Sequence, residues 1–298
     1  MRRWAVLAAL AALLVACGGS GRKGPPAFVF VSTEDGDYAL FGADADGGHR
    51  HRLTKEKGDP SSPAGLFFQI SPVWSPDGSE IAFVSGRDGV GHVFAMKPDG
   101  GGTRRVTDTK KDDEHPSWSP DGKWIVLGRE GALFRVPAAG GPAIRLLANA
   151  PGHAADPAYS PDGRLIAYDY RRPGFQNREV YLLNADGTGK PRQLTDLRWV
   201  SGLPAWSPDG RTIAFQSNAT PGHRRNEIYT IPTAGGTPKR VTNSTTDAIQ
   251  PAWSPDGSLA FSVDGAIVKL ESGKMTKLTS GEENDSAPAW NPRPQPPK

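Results

Sequence analysis

The sequence predicts an all-β fold: a six-bladed β-propeller of four-stranded antiparallel blades, with the ring closed by N- and C-terminal strands. Three observations carry this expectation. The 298 residues include 36 Gly and 28 Pro, a turn-rich composition, yet 37% hydrophobic content with 8 Trp, 11 Phe and 6 Tyr still furnishes a core. One motif returns five times, as Trp74-Ser75-Pro76-Asp77-Gly78, Trp118-Ser119-Pro120-Asp121-Gly122, Tyr159-Ser160-Pro161-Asp162-Gly163, Trp206-Ser207-Pro208-Asp209-Gly210 and Trp253-Ser254-Pro255-Asp256-Gly257, with a degraded sixth copy at Ala289-Trp290-Asn291-Pro292. The aromatic anchors stand 44, 41, 47, 47 and 37 residues apart, the period of propeller blades.

The chain opens with Met1-Arg2-Arg3, then an unbroken apolar run from Trp4 to Ala16, then Cys17. A positive start, a short apolar stretch and a small residue at its end make a secretory leader. Thirteen apolar residues are too few for a hydrocarbon core that needs about 20. Leu14-Val15-Ala16-Cys17 is similar to a bacterial lipobox, which makes residues 1–16 the signal peptide and Cys17 the lipidated N-terminus of the mature chain. Residues 17–26 then form a lipidated flexible tether that stiffens at Pro25-Pro26, residues 27–292 the propeller, and residues 293–298 a Pro-rich tail. Two acyl chains anchor stably where one is marginal.

Within each repeat, Ser-Pro-Asp-Gly supplies a tight turn: Ser accepts at the first position, Pro presets φ, Asp suits the third position and Gly tolerates positive φ. A β-rich run follows, as in Ile81-Ala82-Phe83-Val84 and Ile166-Ala167-Tyr168, then a third strand such as Val93-Phe94-Ala95-Met96. Asp-Gly or Gly-Gly reversals (Asp99-Gly100, Gly140-Gly141, Asp186-Gly187, Gly235-Gly236) lead to a short fourth strand such as Arg105-Val106-Thr107. The propeller begins at Phe28-Val29-Phe30-Val31, which aligns with the second strand of a repeat, and it ends at Pro288-Ala289-Trp290, a first strand with nothing after it. The two ends complete one blade and remove the exposed sheet edges.

The pattern Pro-x-Trp-Ser-Pro-Asp-Gly-x-x-Ile-Ala-Phe, then Val/Ile-Tyr/Phe, Asp-Gly-Gly and Arg-x-Thr, resembles the repeat of TolB-type propellers, the WD-like repeat of bacterial envelope proteins, over residues 27–292. Tyr159 in place of Trp, Ile125-Val126-Leu127, and the last copy without Asp-Gly depart from it. The resemblance implies a propeller of the cell envelope. The lipobox adds anchorage in the outer membrane facing the periplasm where there are two membranes, and otherwise on the outer face of the cytoplasmic membrane. A fold-level resemblance does not transfer function.

Charge excludes one class of partner. Without Arg2 and Arg3 of the leader, 33 Lys and Arg are scattered among 32 Asp and Glu, so the balance is close to neutral and nucleic acid is not expected. With Cys17 the sole cysteine, no internal disulfide forms. The sequence carries no Gly-x-Ser-x-Gly elbow, His-Glu-x-x-His, P-loop or dinucleotide fingerprint, so no catalytic residue, cofactor or metal is assigned. His49 and His51 alternate along an expected strand, yet without a third ligand they read as a surface pair.

Two regions stand above background. Loops entering the first strands should ring the channel mouth and bring Gln69, Glu114, His115, Asp156, Leu203 and Gln250 there. Two long basic loops of adjacent blades, Arg171-Arg172-Pro173-Gly174-Phe175-Gln176-Asn177-Arg178 and Pro221-Gly222-His223-Arg224-Arg225-Asn226, offer Arg171, Arg172, Phe175, Arg178, His223, Arg224 and Arg225 to an acidic partner. The enlarged loop from Lys55 to Gln69 adds Phe67-Phe68. The expected function is a non-enzymatic, monomeric, membrane-tethered propeller that binds an envelope protein or peptide. The rival reading is a carbohydrate-handling lyase or hydrolase with a metal in the channel.

Overall fold

The Ser-Pro-Asp-Gly turns form as their chemistry dictates. In the computed structural model, which describes residues 24–34, 36–55, 69–147, 151–220, 222 and 224–293, each Ser hydroxyl donates to the Asp two residues on, at 2.7 Å for Ser75–Asp77 and 2.6 Å for Ser160–Asp162. The same hydroxyl accepts the amide five residues on, Glu80 and Leu165 at 2.9 Å each, and so ties the turn to the second strand. These bonds hold Asp77 down at about 2 and depress Asp121, Asp162, Asp209 and Asp256 as well.

Six four-stranded antiparallel sheets result. Blade 1 carries the closure: Ser286–Trp290 is its innermost strand, followed by Phe28–Ser32, Ala39–Ala43 and His51–Arg52. Phe28 pairs with Trp290 and Val29 with Ala289, so the two ends of the propeller share one sheet. The innermost strands of blades 2 to 6 are Gln69–Trp74, Asp113–Trp118, His153–Tyr159, Ser201–Trp206 and Ala248–Trp253. The apolar residues of the middle strands pack between neighbouring blades; Ala82, Val84 and Val93 of blade 2, for example, meet Trp118, Ile125 and Leu127 of blade 3. Phe28, Phe30 and Phe41 of blade 1 meet Ala260 and Ile267 of blade 6 in the same way, which completes the ring of interfaces.

Arg-x-Thr also has a physical role. The Thr54, Thr107, Thr195, Thr242 and Thr279 hydroxyls each accept a third-strand amide at 2.8–3.1 Å, extending pairing beyond the short outer strands. On the turn side, Gly47 and Gly100 adopt φ of 85° and 80° against the neighbouring blade; a Cβ there would sit 1.8 Å from the Leu278 carbonyl oxygen and 2.1 Å from that of Leu53. One expectation is corrected: His49 and His51 do not share a strand face. His49 lies before the strand in a left-handed conformation (φ 49°) with Nδ1 2.6 Å from Asp44, and His51 Nδ1 contacts the His49 carbonyl.

Candidate functional site: the channel and its loop face

Antiparallel order sends every Ser-Pro-Asp-Gly turn and every reversal between third and fourth strands to one face, the turn face. The loops between second and third strands, and those entering the next blade, fall on the other, the loop face. Between them runs the channel, and the innermost strands shape it through a repeated irregularity. In each blade the pairing register slips by one residue, as between Ile70 and Val73 or between Ala155 and Ala158. Such a bulge re-aims a side chain. The residue at each bulge is left-handed and precedes a proline: Ser71, His115, Asp156, Leu203, Gln250 and Ala287, with φ from 46° to 56°. The proline bars the right-handed helical region to its predecessor.

These six residues, the six prolines after them and the aromatic anchors line one cavity of about 510 Å³. The anchors also bind blade to blade: the Trp74, Trp206 and Trp253 indole N–H groups donate to carbonyls of the preceding blade, Ala289, Ala158 and Ala205, at 3.0–3.2 Å. Tyr159 lacks this donor; its backbone amide donates instead to the Ser117 hydroxyl.

His115, Asp156, Leu203 and Gln250 line the channel; Gln69 and Glu114 do not. Gln69 lies two residues before the bulge and is wholly buried, and Glu114 lies one residue before it and is exposed. Ser71 and Ala287 take the missing places, and the signal for both was the X-Pro dipeptide three residues ahead of each aromatic anchor.

The polar part of the ring is concentrated on blades 3 and 4. His115 Nδ1 stands 2.7 Å from Asp156. Burial draws the imidazolium down, but the Asp156 charge and hydrogen bond outweigh it and hold His115 above its ordinary value. Asp156 is held below the usual carboxylate range, despite its burial, by His115, Arg178 and the Leu203 amide. Asp169, fully buried behind them, goes the other way: burial and the Asp156 charge push it up to about 7 against the pull of Arg178, whose guanidinium donates to its Oδ2 at 2.7 Å. Among the described residues, no group of three His, Cys, Asp or Glu side chains is placed to hold a metal ion.

Arg178 is therefore turned inward onto Asp169 rather than outward toward a partner, and Arg225 is half-buried with contacts of its own. His223, Phe67, Phe68 and Cys17 lie outside the described residues. Arg172 and Arg224 remain exposed, each over an aromatic ring: Arg172 4.6 Å from the centre of Phe175, and Arg224 5.9 Å from that of Trp199. Phe175, Trp199 and Val200 are 50%, 43% and 42% exposed. Trp199 and Val200 escape a reading built on charge and loop length, because their segment looks like an ordinary inter-blade connection.

Comparison with known proteins agrees with this architecture. The Tol-Pal system protein TolB of Bordetella pertussis is 30% identical over 162 residues, covering 53% of this chain and 34% of that protein. A protein named as the uncharacterized peptidase YuxL, from Bacillus subtilis, is 42% identical over 57 residues, covering 19% of this chain and 9% of that protein. The chain thus spans about a third or less of the length of these relatives. The crystal structure of TolB from Acinetobacter baumannii superposes with a TM-score of 0.73 at 21% identity, over 89% of this chain and 66% of that one, a likeness of fold. The profile of the TolB beta propeller domain matches residues 24–140 and 139–295, so the chain belongs to the TolB beta propeller family.

Proposed function

We propose that this protein is a non-enzymatic, membrane-tethered propeller that binds an envelope protein or peptide through its loop face. One observation carries the reading: on blades 4 and 5, exposed arginines lie over exposed aromatic rings without carboxylate partners among the described residues. On the same face of blades 1 to 3, Arg52 is neutralised by Asp37 at 2.9 Å, Arg105 by Asp88 at 3.3 Å and Arg129 by Asp113 at 2.7 Å, while Arg87, 4.3 Å from the centre of the Phe94 ring, is half-buried. Arginine and aromatic side chains are the groups that anchor protein interfaces. Relatives named for the Tol-Pal system favour an envelope protein as the partner.

Anchorage rests on the Leu14-Val15-Ala16-Cys17 signal, with Cys17 acylated and the membrane that holds it set by the sorting signal after it. The propeller end of the tether is fixed on the turn face, where Asn291 donates to the Pro26 and Ala27 carbonyls. The loop face is the face opposite that attachment.

The test is a photo-crosslinking residue placed at Arg172 or Arg224 in living cells. A discrete crosslinked protein is expected there and not from Asp209 on the turn face. Equal labelling from both faces, or none from either, overturns the reading. Cys17→Ser should release the protein from the membrane fraction.

A further inference from the structure

The rigidity of the segment around Trp199 says more about what the loop face accepts. Arg198 is left-handed (φ 60°), and its amide donates to the buried carboxylate of Glu179 at 2.7 Å. The Val200 amide donates to the Asn218 side chain at 3.0 Å, and the Asn218 amide returns to the Val200 carbonyl at 3.3 Å. On its other side Val200 forms a β-bridge with Arg178, whose carbonyl accepts the Ser201 amide at 2.9 Å. The backbone is thus pinned to blades 4 and 5 at once, while the Trp199 and Val200 side chains stand in solvent. Large apolar side chains held out on a fixed backbone lose little conformational freedom on binding.

The guanidinium groups are arranged to match. Arg172 and Arg224 lie near the Phe175 and Trp199 rings, 4.6 and 5.9 Å from their centres, and guanidinium groups placed beside an aromatic ring are the groups that take carboxylates. An acidic group is interspersed nearby: Asp196 is exposed two residues before Arg198. Such a surface opposes a continuous polyanion and favours discrete carboxylates set around an apolar side chain.

Resting on the partner-binding reading above, we propose that Trp199, Val200 and Phe175, flanked by Arg172 and Arg224, dock a short acidic polypeptide segment that inserts a large apolar side chain between its carboxylates. Trp199 is the anchor, and the arginines set orientation and charge preference. Overall charge near neutrality confines this preference to the patch.

The experiment uses the full chain and fluorescently labelled twelve-residue peptides: one with a Trp flanked by Glu, one with that Trp replaced by Ser, one with Lys in place of Glu, and polyglutamate. Binding of the first alone is expected. It should weaken at least about tenfold with Trp199→Ala and with the Arg172→Ser, Arg224→Ser double variant, both checked for unchanged melting. Equal binding of polyglutamate or of the Ser peptide overturns the proposal, as does indifference to Trp199→Ala. A crosslinked partner whose footprint lacks carboxylates overturns this proposal and leaves the partner-binding reading standing. Selective peptide binding without any crosslinked partner in cells does the reverse.

Discussion

The two faces of the propeller are built on opposite principles. On the turn face one local pattern repeats: Ser75, Ser119, Ser160, Ser207 and Ser254 all hold the Asp two residues on. On the loop face each blade differs, one buried carboxylate is pushed toward neutrality, and exposed arginines lie over exposed aromatics. A repeated face maintains the fold, whereas an irregular face on a rigid scaffold is where recognition can be added without disturbing it.

Substitutions can break or sharpen that contrast. Removing the chain from Ser286 onward takes the innermost strand out of blade 1 and exposes Phe28 and Phe30. The cooperative thermal transition should be lost or fall by tens of degrees, well beyond the roughly 4–5 kcal/mol that marks an exceptional single mutation. Next comes Gly100→Val on the turn side, where a side chain meets the Leu53 carbonyl in a left-handed backbone; about 3 kcal/mol of destabilisation is expected in denaturant titration. Ser160→Ala should cost about 1–2 kcal/mol, because the Leu165 amide loses its acceptor. The Arg172→Ser, Arg224→Ser pair should change stability by no more than about 0.5 kcal/mol, while removing partner capture. An equal loss of stability at both faces would dissolve the distinction.

Acidity separates the faces by sign rather than size. The turn carboxylates are depressed on folding, so their contribution is present above their unfolded value of 3.8 and lost as pH falls toward about 2, as for Asp77. Asp169 is raised, so its contribution is fullest below 3.8 and is lost as pH climbs through about 7. Stability followed across pH 4–7 should therefore have a flatter downward slope in Asp169→Asn, and the acid limb below pH 4 should be unchanged. An identical slope in the variant would place the neutral-pH titration elsewhere.

The turn face was legible in the sequence because its chemistry is local. Ser, Pro, Asp and Gly within four residues specify their own turn, and five copies counted the blades. The closure of blade 1 was legible because Phe28 and Trp290 each belong to half a repeat. The channel ring was misplaced by one or two residues, at Glu114 and Gln69, because a bulge shifts which side chain faces inward and strand alternation alone does not reveal it. The arginine loops were legible as charge, but Arg178 was not separable from Arg172. Which one turns inward depends on Asp169, fixed on the neighbouring strand. Trp199 escaped because its exposure follows from pins at Glu179 and Asn218, both distant in sequence.

The pairing of Phe28 with Trp290 also orders events in time. The first strand to leave the ribosome must wait, with its edge unpaired, for the last strand of the ring. Contacts of that sequence separation fold slowly, because the loop must be closed before it is rewarded. A chain that crosses a membrane N-terminus first therefore cannot complete its ring before its C-terminal segment has arrived on the far side. The pairing that closes the ring is thus the last one a growing chain can make.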